Sequence, residues 1–474
     1  MPDLVKRTLL ALVGGTALQK VLLFGVSVLL ARALGVAGLG NYAFGVQVGL
    51  LLALFAEAGV KVVAAREAAA RPGEALAWVR ASLRARLLLS GLFFGLFVPG
   101  VLLAGWKPAF LLVCGGVVFP SAFDMKGLAD AMGKASLEVL WEGAALLVQL
   151  ALVVLLCLGG TADLLPFALA WLAGRSAYAL LAFFWIARQG PAGKRIPAAG
   201  LLKSGGLISA AVFLNTLVRS LDVILLKLMA GPYPAGLYAA ARKLAAAAEA
   251  PLALLGRLFR PHLDRAAAAG DREATLERVL RSQAFLVLPV AAGGWLTAGP
   301  LLAGLFGDGF AGADWTLKWL LVVMVLTGVG SAFGNTLFAS RKHFYYVLPL
   351  ALATLLNLGL TLALIPAWGS SGAALATALS LALAVPLSVF FLAREGCKVS
   401  PGKVFLRPLL AAAAVGGTVW VLRLGGNVFL QVGAGALAWA AAVWVLEFRG
   451  RWRLLGRGLQ EGSGFTLEEG RHGA

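Results

Sequence analysis

Residues 28–43 read VLLARALGVAGLGNYA, and residues 224–239 read ILLKLMAGPYPAGLYA. Without a gap, Leu29, Leu30, Gly35, Gly40, Tyr42 and Ala43 fall on Leu225, Leu226, Gly231, Gly236, Tyr238 and Ala239. Extended outward, the same register sets Arg7 on Lys203, Gln19 on Asn215 and Lys61 on Arg257. Leucine, alanine and glycine are plentiful in this chain, so their coincidence carries little. The shared tyrosine and the shared basic ends carry the reading of an internal duplication. Each copy is an apolar run, a glycine-bearing turn and a second apolar run.

The rest of the chain extends this pattern. Of its 474 residues 60% are hydrophobic and 13% charged, against about 25% charged in an ordinary soluble domain. Apolar runs of about 20 residues, each long enough to cross roughly 30 Å of hydrocarbon as a helix, recur from end to end. The expected spans are 8–31, 40–60, 82–106, 109–131, 138–160, 164–187, 203–230, 234–257, 283–306, 315–339, 344–366, 370–393, 404–424 and 427–447. The repeat offset of 196 residues contains six of these spans, so both copies insert in the same direction. The prediction is an all-α polytopic membrane protein of about fourteen transmembrane helices, with two six-helix lobes in parallel repeat and a C-terminal helix pair. The expected divisions are an N-terminal lobe at 1–190, a cytoplasmic linker at 191–202, a second lobe at 203–396, the helix pair at 397–447 and a tail at 448–474.

A formal charge of +19 raises the question of nucleic acid, but the basic residues are sorted by side. Thirty-one fall on the side that holds both termini; only Arg32, Lys107, Lys318 and Arg423 fall on the other. Lysine and arginine accumulate in cytoplasmic loops of membrane proteins, so both termini are expected in the cytoplasm and no nucleic-acid partner is. The first span is longer than a signal-peptide core and is kept as a helix. Cys114, Cys157 and Cys397, like His262, His343 and His472, have no metal or redox spacing, and no phosphate-binding glycine-lysine loop occurs.

Six basic residues remain at membrane depth: Lys20, Arg175, Arg219, Lys227, Arg242 and Lys243. A charge at the bilayer centre costs roughly 2.5 to 3.5 kcal/mol even on lenient scales, so these side chains must face protein or water. At helical spacing Asn215, Arg219 and Asp222 share a stripe, as do Tyr238, Arg242 and Glu249, and Trp171, Arg175 and Tyr178. The first span offers Thr16, Gln19, Lys20 and Ser27. Two readings stand for Arg219–Asp222 and Arg242–Glu249: ion pairs that hold helices together, or faces of a water-filled cationic chamber. Lys20 and Arg175 have no acid within reach on their own helices, which favours the chamber. The candidate substrate-binding residues are therefore Lys20, Arg175, Arg219, Asp222, Arg242 and Lys243, with no catalytic residue, metal or cofactor. Lys227 lies near a span end and is read as snorkelling. Asp271 to Arg281 reads as an amphipathic surface helix, and Lys318 as a lone loop charge.

Four stretches carry a family resemblance: LLARALGVAGLGNYAFGVQVGLLLALFAEAGV at 29–60, LDVILLKLMAGPYPAGLYAAARKL at 221–244, GLFGDGFAGADWTLKWL at 304–320 and IPAWGSSGAALATALS at 365–380. They are similar to the polysaccharide-flippase branch of the multidrug/oligosaccharidyl-lipid/polysaccharide exporter superfamily, the Wzx-type transporters of lipid-linked oligosaccharide units. The resemblance implies a non-enzymatic flippase of the cytoplasmic membrane. Its implied partners are a polyprenyl-pyrophosphate-linked oligosaccharide, membrane lipids and glycan-assembly proteins. The extra C-terminal pair is a feature of the lipid II flippases of that superfamily and implies a polyprenyl-binding role for 404–447. The alternatives are a cation-coupled multidrug exporter, which needs acids deep in the N-terminal lobe, and a membrane oligosaccharide polymerase or glycosyltransferase, which needs a sizeable outward loop.

Overall fold

Glycines at equivalent places in the two copies shape the centre of the molecule. In the computed structural model, which describes residues 2–57, 59–190, 196, 207–269, 271–340, 343–423 and 427–447, helix α1 (Pro2–Glu57) is broken into two arms at Gly35, whose φ is 66°. Its repeat partner Gly231, at φ 94°, separates α9 (Leu207–Ala230) from α10 (Pro232–Ala269). A left-handed φ is open to glycine because it has no Cβ to collide with the backbone. The two turns then meet. A Cβ on Gly40 would stand 1.9 Å from the Pro232 carbonyl oxygen, and a Cβ on Gly236 would stand 1.9 Å from that of Val36. In the repeat register Gly40 matches Gly236 and Val36 matches Pro232, so each copy presents the same patch to the other. Reciprocity of this kind is what a two-fold relation between two lobes produces.

The first lobe continues through α2 (Val60–Ala70), α3 (Ala75–Ala104), α4 (Pro108–Gly116), α5 (Val118–Ser121), α6 (Leu128–Ala131), α7 (Ala135–Leu158) and α8 (Leu164–Ala187). The second comprises α9, α10, α11 (Arg272–Phe306), α12 (Asp314–Ala339) and α13 (His343–Arg394), the last broken at Gly369. Helices α14 (Pro401–Leu422) and α15 (Val428–Glu447) pair and lean on α11, where the Trp439 indole donates to the Phe285 carbonyl at 2.8 Å. Packing between the lobes runs through α1, which lies against α9 and α10. Nine helical segments among the described residues are long and apolar enough to cross a membrane. Large apolar side chains such as Leu103 and Leu158 face outward, as a lipid solvent allows and water does not. The chain is a multi-pass membrane protein.

The turns at Gly35, Gly231, Gly309 and Gly369 lie together at one end of the bundle, where Gly309 approaches Val36 and Gly369 approaches Pro234. The opposite, basic end carries Lys61, Asp124, Arg80, Glu273 and Lys398.

Two expectations need correction. The span expected at 109–131 stops at Ser121, because Gly115, Gly116 and Pro120 weaken the helix and a turn leads on to Gly127, whose φ is 81°. Residues 272–281 are not a separate surface helix but the first turns of α11. Leu276, Val279 and Leu280 are buried there, while Glu273 and Glu277 accept from the Lys398 and Ser400 backbone amides at 2.7 and 3.0 Å. The chain from Cys397 folds back over those turns and covers them. The expected linker at 191–202, Ile196 apart, and the tail at 448–474 lie outside the described residues.

Candidate functional site

Consecutive residues on a helix point about 100° apart, so Arg242 and Lys243 on α10 serve different neighbours. Arg242 turns into its own lobe. Its Nη1 donates to the Tyr238 hydroxyl at 3.2 Å, Tyr238 donates to Asp222 Oδ2 at 2.9 Å, and the guanidinium stands 3.8 Å from that carboxylate. Asp222 is only 2% exposed, and a carboxylate so placed must be paired and hydrogen-bonded to remain ionised. Glu249 lies within electrostatic reach of Arg242 but beyond ion-pair distance; the acid Arg242 meets is Asp222, on the neighbouring helix. The backbone of Arg219 belongs to α9, and its side chain lies outside the described residues.

Lys243 faces α1. It is exposed, as is Lys20 on the first arm of α1, and the two are within electrostatic reach of each other. Among the described residues neither has a carboxylate at ion-pair distance. Two ammonium groups from different lobes thus share one seam and repel, which makes an attractive site for an anion. Gln19, next to Lys20, donates to the Val139 carbonyl at 2.6 Å and pins the arm against α7.

Arg175 sits in a different setting. Its Nη1 is 3.3 Å from both Oε1 and Oε2 of Glu142 on α7, and its guanidinium lies 5.7 Å from the Tyr178 ring centre. So Arg175 does have an acidic partner, supplied by the neighbouring helix. The pair joins a charged cluster at the basic end of the first lobe. There Lys61 bridges Glu57 at 2.6 Å and Asp124 at 2.9 Å, Arg86 Nη1 donates to the Asp124 carbonyl at 3.0 Å, and the Met125 amide donates to the Tyr178 hydroxyl at 3.1 Å. Burial opposes the charge on Lys61, and the carboxylates of Asp124 and Glu57 outweigh it, so its pKa lies above the ordinary lysine value.

Sequence reasoning missed much of this cluster. Arg86 counts by sequence only among the cations of the strongly basic side, yet it is 1% exposed within α3. Glu142 had a signal: the short turn at 159–163 makes α7 and α8 antiparallel neighbours, which brings an acid on one toward a base on the other. The first lobe therefore does hold acids, but Glu57, Asp124 and Glu142 are each engaged by a base. Lys227 and Lys318 both have partners. Lys227 lies 3.5 Å from the Trp106 ring centre and 4.3 Å from that of Phe44, and Lys318 pairs with Asp314 at 2.6 Å beside Trp315.

Solved structures similar to this fold include a lipid II flippase and multidrug transporters. Lipid II flippase MurJ in an inward closed conformation is similar at 14% identity with a TM-score of 0.67, over 94% of this chain and 99% of that one. A multidrug resistance MATE family transporter in an inward-facing conformation is similar at 16% identity with a TM-score of 0.66, over 79% and 94%. A MOP superfamily transporter from Pyrococcus furiosus, described as having a binding pocket of reverse polarity, is similar at 16% identity with a TM-score of 0.54, over 81% and 95%. Curated protein sequences yield no match. The model of the family described as polysaccharide biosynthesis protein matches residues 5–257, more than half of the chain. With that match set on a duplicated, transporter-like helical fold, the chain belongs to the polysaccharide biosynthesis protein family.

Proposed function

We propose that the protein is a flippase that moves polyprenyl-pyrophosphate-linked oligosaccharide units across the cytoplasmic membrane, and not an enzyme. The observation that supports this most is the unpaired cationic seam: Lys20 from one lobe and Lys243 from the other, both exposed and without a described carboxylate partner. A pyrophosphate suits such a pair, because its several charged oxygens can accept from both ammonium groups at once. Asp222, Tyr238 and Arg242 then act behind the seam, where buried Asp222 and Tyr238 and the half-buried Arg242 fix α10 against α9 and so set the direction of Lys243. Arg219 and Arg175 complete the candidate set, with Arg175 held in place by Glu142.

The proposal includes an orientation and a division of the chain. The basic end faces the cytoplasm, the lobes are residues 1–190 and 203–396, and 191–202 joins them. Residues 397–447 add a helix pair that shelters the polyprenyl tail, and 448–474 form a cytoplasmic tail. Reporters fused after Ala474 and inserted near Gly309 should report opposite compartments, cytoplasmic and external.

The function is tested in cells depleted of the protein, which should accumulate lipid-linked oligosaccharide on the cytoplasmic leaflet. Complementation with Lys20→Gln or Lys243→Gln should restore transport at least about tenfold less well than wild type, with unchanged expression and melting temperature. A tenfold loss corresponds to about 1.4 kcal/mol. Wild-type rates in the double variant would remove the anionic headgroup from the seam. Clearance of a cationic drug with no effect on the oligosaccharide would favour the multidrug-exporter reading.

A further inference from the structure

Arg32 is one of four basic residues on the sparsely basic end, and transport as proposed gives it no task. It is exposed near the end of the first arm of α1, yet it is not idle. Its Nε donates to the Leu305 carbonyl at 2.9 Å and its Nη2 to the Gly304 carbonyl at 2.8 Å, both across the seam in the last turn of α11. The last carbonyls of a helix have no partner within it and carry the negative end of its dipole. A guanidinium supplies two N–H groups in a fixed fork, which matches two neighbouring carbonyls.

Lys227 makes the reciprocal reach. It sits in the last turn of α9, the first span of the second lobe, and its ammonium covers Trp106, two residues beyond the end of α3, and Phe44 on the second arm of α1. Each lobe thus extends a cation from the end of its first span to the end of the third span of the other lobe. Between 1–190 and 207–394, Arg32 supplies two hydrogen bonds and Lys227 two cation–π contacts. Apolar closure surrounds them: Phe24 meets Phe306 edge-on at 6.0 Å, and Gly309 touches Val36.

We infer that Arg32 and Lys227 form a two-sided latch that holds the lobes shut at the sparsely basic end and must release before that end can open. The biological use of such a latch rests on the transport reading above, but its existence does not, because it is measured without substrate. The position of the two cations also gives them different strengths. Arg32 loses two charge-assisted hydrogen bonds on release and exposes them to water, whereas Lys227 exchanges aromatic faces for water.

The test is a distance measurement across that end in lipid nanodiscs. Cys114, Cys157 and Cys397 are replaced by alanine, and nitroxides are placed by Asp163→Cys and Asp308→Cys, exposed turn positions on opposite lobes. Electron–electron resonance should give one dominant short distance in the parent. Arg32→Ala and Lys227→Ala should each raise the open-to-shut ratio about tenfold, and the double variant further. Arg32→Lys keeps the charge without the fork and should fall between, which preserves the test if Arg32→Ala fails to fold. Arg423→Ala, exposed at the same end just after α14, should leave the distribution unchanged. A double variant with the parental distribution, or an Arg423→Ala shift equal to that of Arg32→Ala, overturns the latch. Should the latch variants open while Lys20→Gln and Lys243→Gln transport normally, the headgroup reading fails and the latch stands.

Discussion

The two copies of the repeat share a backbone and differ in chemistry. Around Tyr238 the second copy sets Asp222 and Arg242; at the matching places around Tyr42 the first copy has Val26 and Val46. Both tyrosines are buried, but one bridges an acid and a base while the other is packed among apolar side chains. The glycines that shape the turns are kept in both copies because each turn must meet the other at backbone distance. The difference teaches that the two copies agree on the surface where the lobes touch and differ in the polar interior. One copy is apolar at these positions, and the other carries a buried charge.

The largest effect should come from breaking what the copies share. Gly40→Ala and Gly236→Ala each force a Cβ into a facing carbonyl oxygen that has no room to move, at a cost of about 3 kcal/mol or more. Both should express poorly and melt well below wild type, whereas Gly25→Ala, with open space around it, should not. Near-equal melting of all three would remove the reciprocal contact.

A somewhat smaller effect should expose what the copies do not share. Asp222→Ala removes the acceptor that Tyr238 and the half-buried Arg242 share, with a loss of about 1.5 to 3 kcal/mol, the range for hydrogen bonds to a charged group. Tyr238→Phe removes one bridging hydroxyl, for about 1 to 2 kcal/mol, and Tyr42→Phe should cost less than that. Chemical denaturation in detergent checks the order. If Tyr42→Phe proves as damaging as Tyr238→Phe, the copies are not chemically divergent at this position.

The smallest effect is one of pH, in the first copy. Lys61 has a folded pKa above its unfolded value, so its contribution is fully present below the ordinary lysine value of about 10.4 and is lost as pH rises through the folded one. The loss of melting temperature caused by Lys61→Met should therefore be constant from about pH 6 to 9 and shrink only at strongly alkaline pH. Shrinkage near neutrality would mean that Asp124 and Glu57 do not hold the proton on Lys61.

Much of the fold was legible without coordinates. Hydropathy marks the spans because each must bury its backbone hydrogen bonds within itself and show apolar side chains to lipid. The sorting of basic residues matches the two ends of the bundle, and the register from Gly35 to Tyr42 matches the contact at Gly40 and Gly236. Less of the site was legible. Lys20 and Lys243 emerge at the seam as cations, but Arg175 acquires Glu142, Arg242 acquires Asp222, and Lys318 proves to be paired.

By itself, the sequence determined that this is a duplicated, multi-pass helical protein with one strongly basic end, because those properties follow from local hydrophobicity, period and count. Only the tertiary structure decided which charges are spent on each other and which stand without a described carboxylate partner. Ion pairing depends on distances of a few ångströms between side chains up to hundreds of residues apart, as between Arg32 and Leu305, and no local pattern encodes that distance.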